Sequence, residues 1–124
     1  MLTRKAESDT NYFYDGDMLI LTVDEKMTES GLLMTLLGKL RSDTAHFIQD
    51  ELCAFVSMGI KIIVDLKDVT FITPDVLRAF LATQQSIDSL GKSELRLRNI
   101  SNQVLLEMDK AAINAEVLMI DDWS

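Results

Sequence analysis

The 124-residue chain has one cysteine, one histidine, one proline and one tryptophan. Each scarcity excludes something. A lone cysteine, Cys53, allows no internal disulfide, so packing alone must hold the fold. With no apolar leader in "MLTRKAESDTNYFYDGD", this favours a cytoplasmic protein. A lone histidine leaves any Ser/His/Asp set dependent on His46, which sits between Ala45 and Phe47 and reads as a surface or boundary residue. No nucleophile elbow accompanies it. Paired Cys or His ligands are missing, so no metal or other cofactor is expected. Nothing electropositive lies near Cys53 in sequence to activate its thiol, and it reads as a packing residue. The five glycines, Gly16, Gly31, Gly38, Gly59 and Gly91, are too scattered for a phosphate loop and fit turns and caps. Bases are few as well: 12 Lys and Arg against 20 Asp and Glu give a net charge of −8. That excludes a nucleic-acid binder, which needs a basic face to displace counterions, and a surface drawn to anionic lipid. No apolar run is long enough to insert in a bilayer.

What is present is aliphatic. Hydrophobic residues make up 48% of the chain and aromatics only 6%, so the core must be built from Leu, Ile, Val and Met. The seven methionines read as core filler. Residues 1–17 read as an N-terminal extension, polar and loose to about residue 11 or partly ordered as an added strand, with a turn at Asp15-Gly16-Asp17. Residues 18–124 read as one domain. The pattern predicts a strand over Met18 to Glu25 and, after a turn at "MTESG", a second over Leu32 to Leu40, together a hairpin. "SDTAHFIQDELCAFVSMG" predicts a helix capped by Ser42 or Asp43, with Ala45, Ile48, Leu52 and Phe55 on one face and Gly59 as its stop. "IKIIVDL" (Ile60 to Leu66) is nearly all apolar and predicts a strand covered on both faces. A second helix follows, striped with Val76, Phe80, Ile87 and Leu90, widened by Leu77 and Leu81 and ended by Gly91. "SELRLRN" alternates, predicting a strand with one wetter face. "SNQVLLEMDKAA" predicts a third helix capped by Ser101, and "AEVLMID" a final strand. Alternation of this kind implies an α/β domain: a mixed sheet with an antiparallel N-terminal hairpin and later parallel strands, helices packed against it.

The only proline stands in "DVTFITPDVL", where the central strand meets the second helix. Thr73 is a suitable N-cap. Pro74 falls at the first helical position, where its missing N–H and fixed φ suit the helix. Asp75 lies in the first turn, where its charge meets the positive end of the helix dipole. Local structure is thus reason enough for Thr-Pro-Asp. The place has a second meaning, because sites in open α/β sheets gather where strand C-termini meet helix N-termini. An aspartyl-phosphate receiver would also put acids at such a place. Asp24-Glu25 could supply its acidic pair, but no lysine ends a final strand and the hairpin start is wrong for it. Asp121-Asp122, on the tail, reads as a solvated pair.

Taken in order, "GLLMTLLGKLRSDTAHFIQDEL", "IKIIVDLKDVTFITPDVLRAFL" and "SLGKSELRLRNISNQVLLEMD" resemble the STAS domain of bacterial anti-sigma factor antagonists, over roughly Gly31 to Ile120. The Val64-Asp65-Leu66 … Val69-x-Phe71-Ile72 block carries most of the likeness. Residues 18–124 would then be a single STAS-like domain. The resemblance implies a phosphoacceptor Ser or Thr at the start of the second helix. Aligning Phe71-Ile72 and Leu77 without a gap puts the family's Asp on Thr73, the next Ser on Pro74, the phosphoacceptor on Asp75 and the following Gly on Val76. Asp65 matches the family's strand-end acid. The acid of its Gly-x-Leu-Asp motif falls on Arg41, a reversal of charge.

The function this implies is non-enzymatic: a regulatory protein-binding module that docks on an anti-sigma factor or a kinase-type relative, without the usual Ser/Thr phosphoswitch. Asp75 there is a fixed charge, smaller than the −1.5 to −2 of a phosphoserine. The alternative is a structural or regulatory subunit of a larger transporter or sensory assembly, with no signalling chemistry, in which the same surface builds homo- or hetero-oligomers.

Overall fold

The structure is a computed structural model and describes residues 1–90, 93–110 and 120–121, without the side chains of 88–90 and 120–121. Four strands come first: β1 (Leu2–Glu7), β2 (Thr10–Asp15), β3 (Met18–Thr28) and β4 (Gly31–Leu40). Helix α1 (Ala45–Ser57), strand β5 (Ile62–Ile72), helix α2 (Pro74–Leu90) and strand β6 (Leu95–Arg98) follow. Helix α3 (Asn102–Lys110) and a short β7 (Ile120–Asp121) complete the order. The seven strands form one sheet in chain order. β1 to β4 pair antiparallel, and β4 to β7 pair parallel. Right-handed crossovers between parallel strands laid side by side in sequence put the helices on a single face. Among the described residues, no helix lies over the other face.

The core lies between that one face and the helices. Leu32, Met34 and Leu36 of β4, Ile62, Val64 and Leu66 of β5, and Leu95 and Leu97 of β6 are buried. They meet Ile48, Leu52 and Val56 of α1, Val76, Leu77 and Phe80 of α2, and Val104 and Met108 of α3 in one cluster. The aliphatic core and the alternation of β6 follow the sequence pattern. So do the hairpin, the Ser101 cap, whose Oγ accepts from the Val104 N–H at 3.2 Å, and Gly59 just beyond α1. The ends predicted at Gly91 and Ala111-Ala112, the Leu90 side chain, and residues 115–119 and 122 lie outside the described residues.

Several expectations are corrected. Residues 1 to 11 are not loose: β1 pairs with β2 from Leu2↔Asp15 to Glu7↔Thr10. An edge strand is held by backbone hydrogen bonds, so it can be polar, and every β1 residue after Leu2 is exposed. Ser42 and Asp43 do not cap α1. They belong to a 3-10 turn, Ser42–Thr44, with no side-chain cap, and the buried Thr44 donates its hydroxyl to the Arg41 carbonyl at 2.8 Å. Val56, rather than Phe55, completes the buried stripe of α1. Strand β5 is not covered on both faces; its burial alternates, because the bare face of the sheet reaches across it. Cys53 is exposed rather than packed. Of the methionines, Met34 and Met108 are in the core, whereas Met18, Met27 and Met58 face solvent.

Candidate functional site

Strand β5 continues to Ile72 rather than ending near Leu66, so it delivers the chain directly into α2. Leu40 of β4 pairs with Ile72, and the Leu40 carbonyl accepts from the Thr73 N–H at 3.0 Å. The Thr73 carbonyl then accepts from the N–H groups of Val76 and Leu77, starting the helix. Val76 and Leu77 are fully buried and anchor this first turn. Pro74 and Asp75 are exposed. The side-chain contact of Asp75 is an i,i+3 ion pair with Arg78 at 3.4 Å, both partners more than half exposed. A pair of that kind contributes about 0.5 kcal/mol or less. The helix therefore presents its first-turn carboxylate outward on a buried apolar footing.

Thr73 differs from expectation. Its Oγ1 is buried and has no hydrogen-bond partner, so it is not a side-chain cap. Burying a hydroxyl without a bond costs roughly 1–3 kcal/mol on mutational scales. Thr73→Val should therefore leave stability unchanged or raise it by up to about 1 kcal/mol, where loss of a working cap would lower it by about 1. Urea unfolding of the two proteins separates these outcomes.

The loop across from Thr73 explains the charge reversal at Arg41. The guanidinium of Arg41 pairs with Asp15 at 3.1 Å and with Asp43 at 2.6 Å. Asp15 also holds the amino terminus of Met1 at 3.1 Å. The Met1 amino group and Arg41 hold the Asp15 carboxyl below the usual carboxylate range. Asp43 and Asp15 in turn raise Arg41 above its ordinary value. Sequence reasoning missed this clamp, since its two acids are 26 and 2 residues from the arginine. Arg41 thus ties the turn after β2 to the loop beside the α2 start.

Asp65 does not belong to this place. It lies within β5, not at its end, and its Oδ1 accepts from the Lys67 N–H at 2.9 Å and from Asn99 Nδ2 at 3.1 Å. Seven residues of strand separate it from Thr73, up to about 26 Å at strand rise. Its role here is to stitch β5 to the turn after β6. Asp24 and Glu25 are not a paired receiver site either. Asp24 accepts from the Thr10 hydroxyl at 2.8 Å on the bare face, whereas Glu25 points to the helix side and meets Glu51 of α1. His46 is exposed. Among the described residues no cluster of His, Cys, Asp or Glu is arranged to hold a metal, and no helix is long and apolar enough to cross a membrane. A cleft of about 590 Å³ opens at the opposite end of the sheet, between Met27–Gly31, Gly59–Lys61 and Arg96, away from the α2 start.

No protein-family model and no curated protein matches the sequence. Solved structures match the fold. The anti-sigma factor antagonist SpoIIAA in its unphosphorylated form is 13% identical with a TM-score of 0.65, covering 81% of this chain and 88% of its own. An anti-sigma factor antagonist from Mycobacterium paratuberculosis is also 13% identical, with a TM-score of 0.68 over 81% of this chain and 84% of that one. RsbS from Moorella thermoacetica, with a serine replaced by glutamate, is 12% identical with a TM-score of 0.67, over 82% and 87%. The chain has the STAS fold of these proteins, with the antiparallel strands at the N-terminal end of the mixed sheet.

Proposed function

We propose, from the fold this chain shares with anti-sigma factor antagonists, that it is a regulatory binding module which docks the start of α2 on a partner protein. The observation that carries this is the state of Asp75. Its carboxylate stands exposed in the first turn, held only by a solvent-screened pair with Arg78, while Val76 and Leu77 fix the backbone beneath it. A rigid, outward charge at a helix N-terminus can be read by a partner's Arg or Lys at little entropic cost. SpoIIAA has also been solved in a phosphorylated form, so that fold tolerates added negative charge. Here Asp75 occupies the position that the sequence resemblance gives to the phosphoacceptor. A carboxylate forms no stable ester with a kinase's phosphate, so the charge is permanent and smaller than a phosphate's. The partner class is an anti-sigma factor or a kinase-type relative, and the module itself does no chemistry.

The test is capture from lysate of the source cell with wild-type, Asp75→Ser and Asp75→Lys proteins, followed by affinity measurement on whatever binds. Charge reversal should weaken, or strengthen, one specific partner by about tenfold or more. Stability should move by about 1 kcal/mol or less, since the dipole interaction of an exposed acid is that small. The same partners at the same affinities for all three proteins would reduce Asp75 to a helix-end residue.

A further inference from the structure

The bare face of the sheet carries an apolar patch at the end where α2 begins. Leu37 is 39% exposed, Phe71 44% and Leu19 50%, although their neighbours Leu36, Ile72 and Ile20 are buried. Strand register fixes how they lie. Leu37 pairs with Asp68, and Lys39 pairs with Phe71. The register shifts between these two pairs, with Thr70 the extra residue of β5, so the four residues form the corners of an approximate rectangle, roughly 7 Å along β4 and 5 Å across. Leu37 and Phe71 share one diagonal, and Lys39 and Asp68 share the other. Lys39 and Asp68 are both exposed, and among the described residues neither makes an ion pair within the chain.

That arrangement is self-complementary. We infer that this patch is the contact between two copies of the chain, related by a twofold axis lying in the interface along the Leu37–Phe71 diagonal. Such an axis returns Leu37 and Phe71 onto their own copies. It exchanges the other two corners, so Lys39 of one copy faces Asp68 of the other, twice. With the rectangle's proportions the exchanged corners coincide to within about 3 Å in projection, inside a lysine's reach. The diagonal makes about 36° with the strands, so the two sheets cross at about 70°, nearer the orthogonal class of sheet packing than the aligned one. Tyr14, on β2, pairs with Leu19 of β3 at the outer edge of the patch.

Charge supports a second copy as the occupant. The chain carries −8 overall, so two copies repel through most faces. Here the four corners hold one cation and one anion, and repulsion from farther charges is screened beyond about 8 Å at physiological salt. The inference stands apart from the partner-docking function, and its assay contains no partner.

Sedimentation equilibrium of the full chain tests it, from micromolar to near-millimolar concentration, with circular dichroism as the check on folding. Wild type should show a monomer–dimer equilibrium. Lys39→Asp and Asp68→Lys should each weaken the dimer about tenfold or more, because each sets like charges face to face. The double variant K39D/D68K should recover most of the loss, since every copy then carries the pair reversed. Phe71→Ser should weaken the dimer without regard to charge. A monomer at every concentration overturns the inference. So does a dimer indifferent to the single reversals, or one that the double variant fails to recover.

Discussion

Gly38→Ala should lower stability by about 3 kcal/mol or more, and at that size it abolishes folding of a marginally stable domain. Two penalties add. The φ of Gly38 is +113°, a conformation that L side chains rarely adopt. A methyl there would also overlap the Ile20 carbonyl oxygen on β3. That oxygen is backbone, so no rotamer relieves the clash. The close approach follows from the sheet itself. Ile20 is the extra residue where the β2–β3 register shifts, and Gly38 sits beside a second shift between β4 and β5. Gly16→Ala is the control. Its φ is +63°, but a methyl there meets nothing within 4 Å. It should cost only about 1–2 kcal/mol. Thermal unfolding of the two variants ranks them; equal losses would mean that backbone conformation alone, and not contact with Ile20, governs position 38.

Glu25→Gln should stabilise the protein at alkaline pH and flatten its pH dependence. Glu25 pairs with Met34, a core residue, and so lies on the helix side of β3. Its Oε2 is buried with no donor beside it. Burial first, then the hydrogen bond and charge of Glu51, and then Asp24 and Asp9, push its carboxyl up from 4.5 to about 8. Two carboxyl groups can share a hydrogen bond only while one keeps a proton. The sign follows. Between pH 4.5 and about 8 the folded state holds a proton that the unfolded chain has released. Stability therefore falls as pH rises through that window, and the full penalty stands above it. The slope from this one group is at most about 1.4 kcal/mol per pH unit. Solvent screening of a side chain that is only partly buried brings the total to the order of 2 kcal/mol. Denaturant unfolding of wild type and E25Q from pH 5 to 9 checks it. The curves should meet near the acid end and diverge with E25Q above. Parallel curves would mean that Glu25 ionises normally.

Much of this was legible from residues alone. The β6 stretch "LRLR" puts leucines inward because a strand has period two, and nothing in the tertiary structure competes with that. The turn from Ile72 into α2 was equally clear, since proline and a first-turn acid suit a helix start whatever surrounds them. Other residues misled because their neighbours in space decide for them. Thr73 has the chemistry of an N-cap, yet its hydroxyl is packed where no N–H reaches it. Arg41 reads as a lost acid until Asp15 and Asp43 close on it. Glu25 looks like any charge near a strand end, and only α1 folding across β3 brings Glu51 against it. β1 is polar but for Leu2 and Ala6, too little for hydrophobic periodicity to read; its order comes from backbone hydrogen bonds, which side-chain patterns do not encode.

The sequence by itself determined the order of elements from β3 to α3, the aliphatic core, the mixed sheet and the helix start at Pro74, because periodicity and backbone chemistry act over a few residues. Only the tertiary structure decided that the described helices all cover one face, that Asp65 stands far from Asp75, and that Leu37, Lys39, Asp68 and Phe71 meet in one patch. Those facts depend on crossover handedness, strand length and register between strands some thirty residues apart, which are set by the assembled sheet and not by any local stretch of chain.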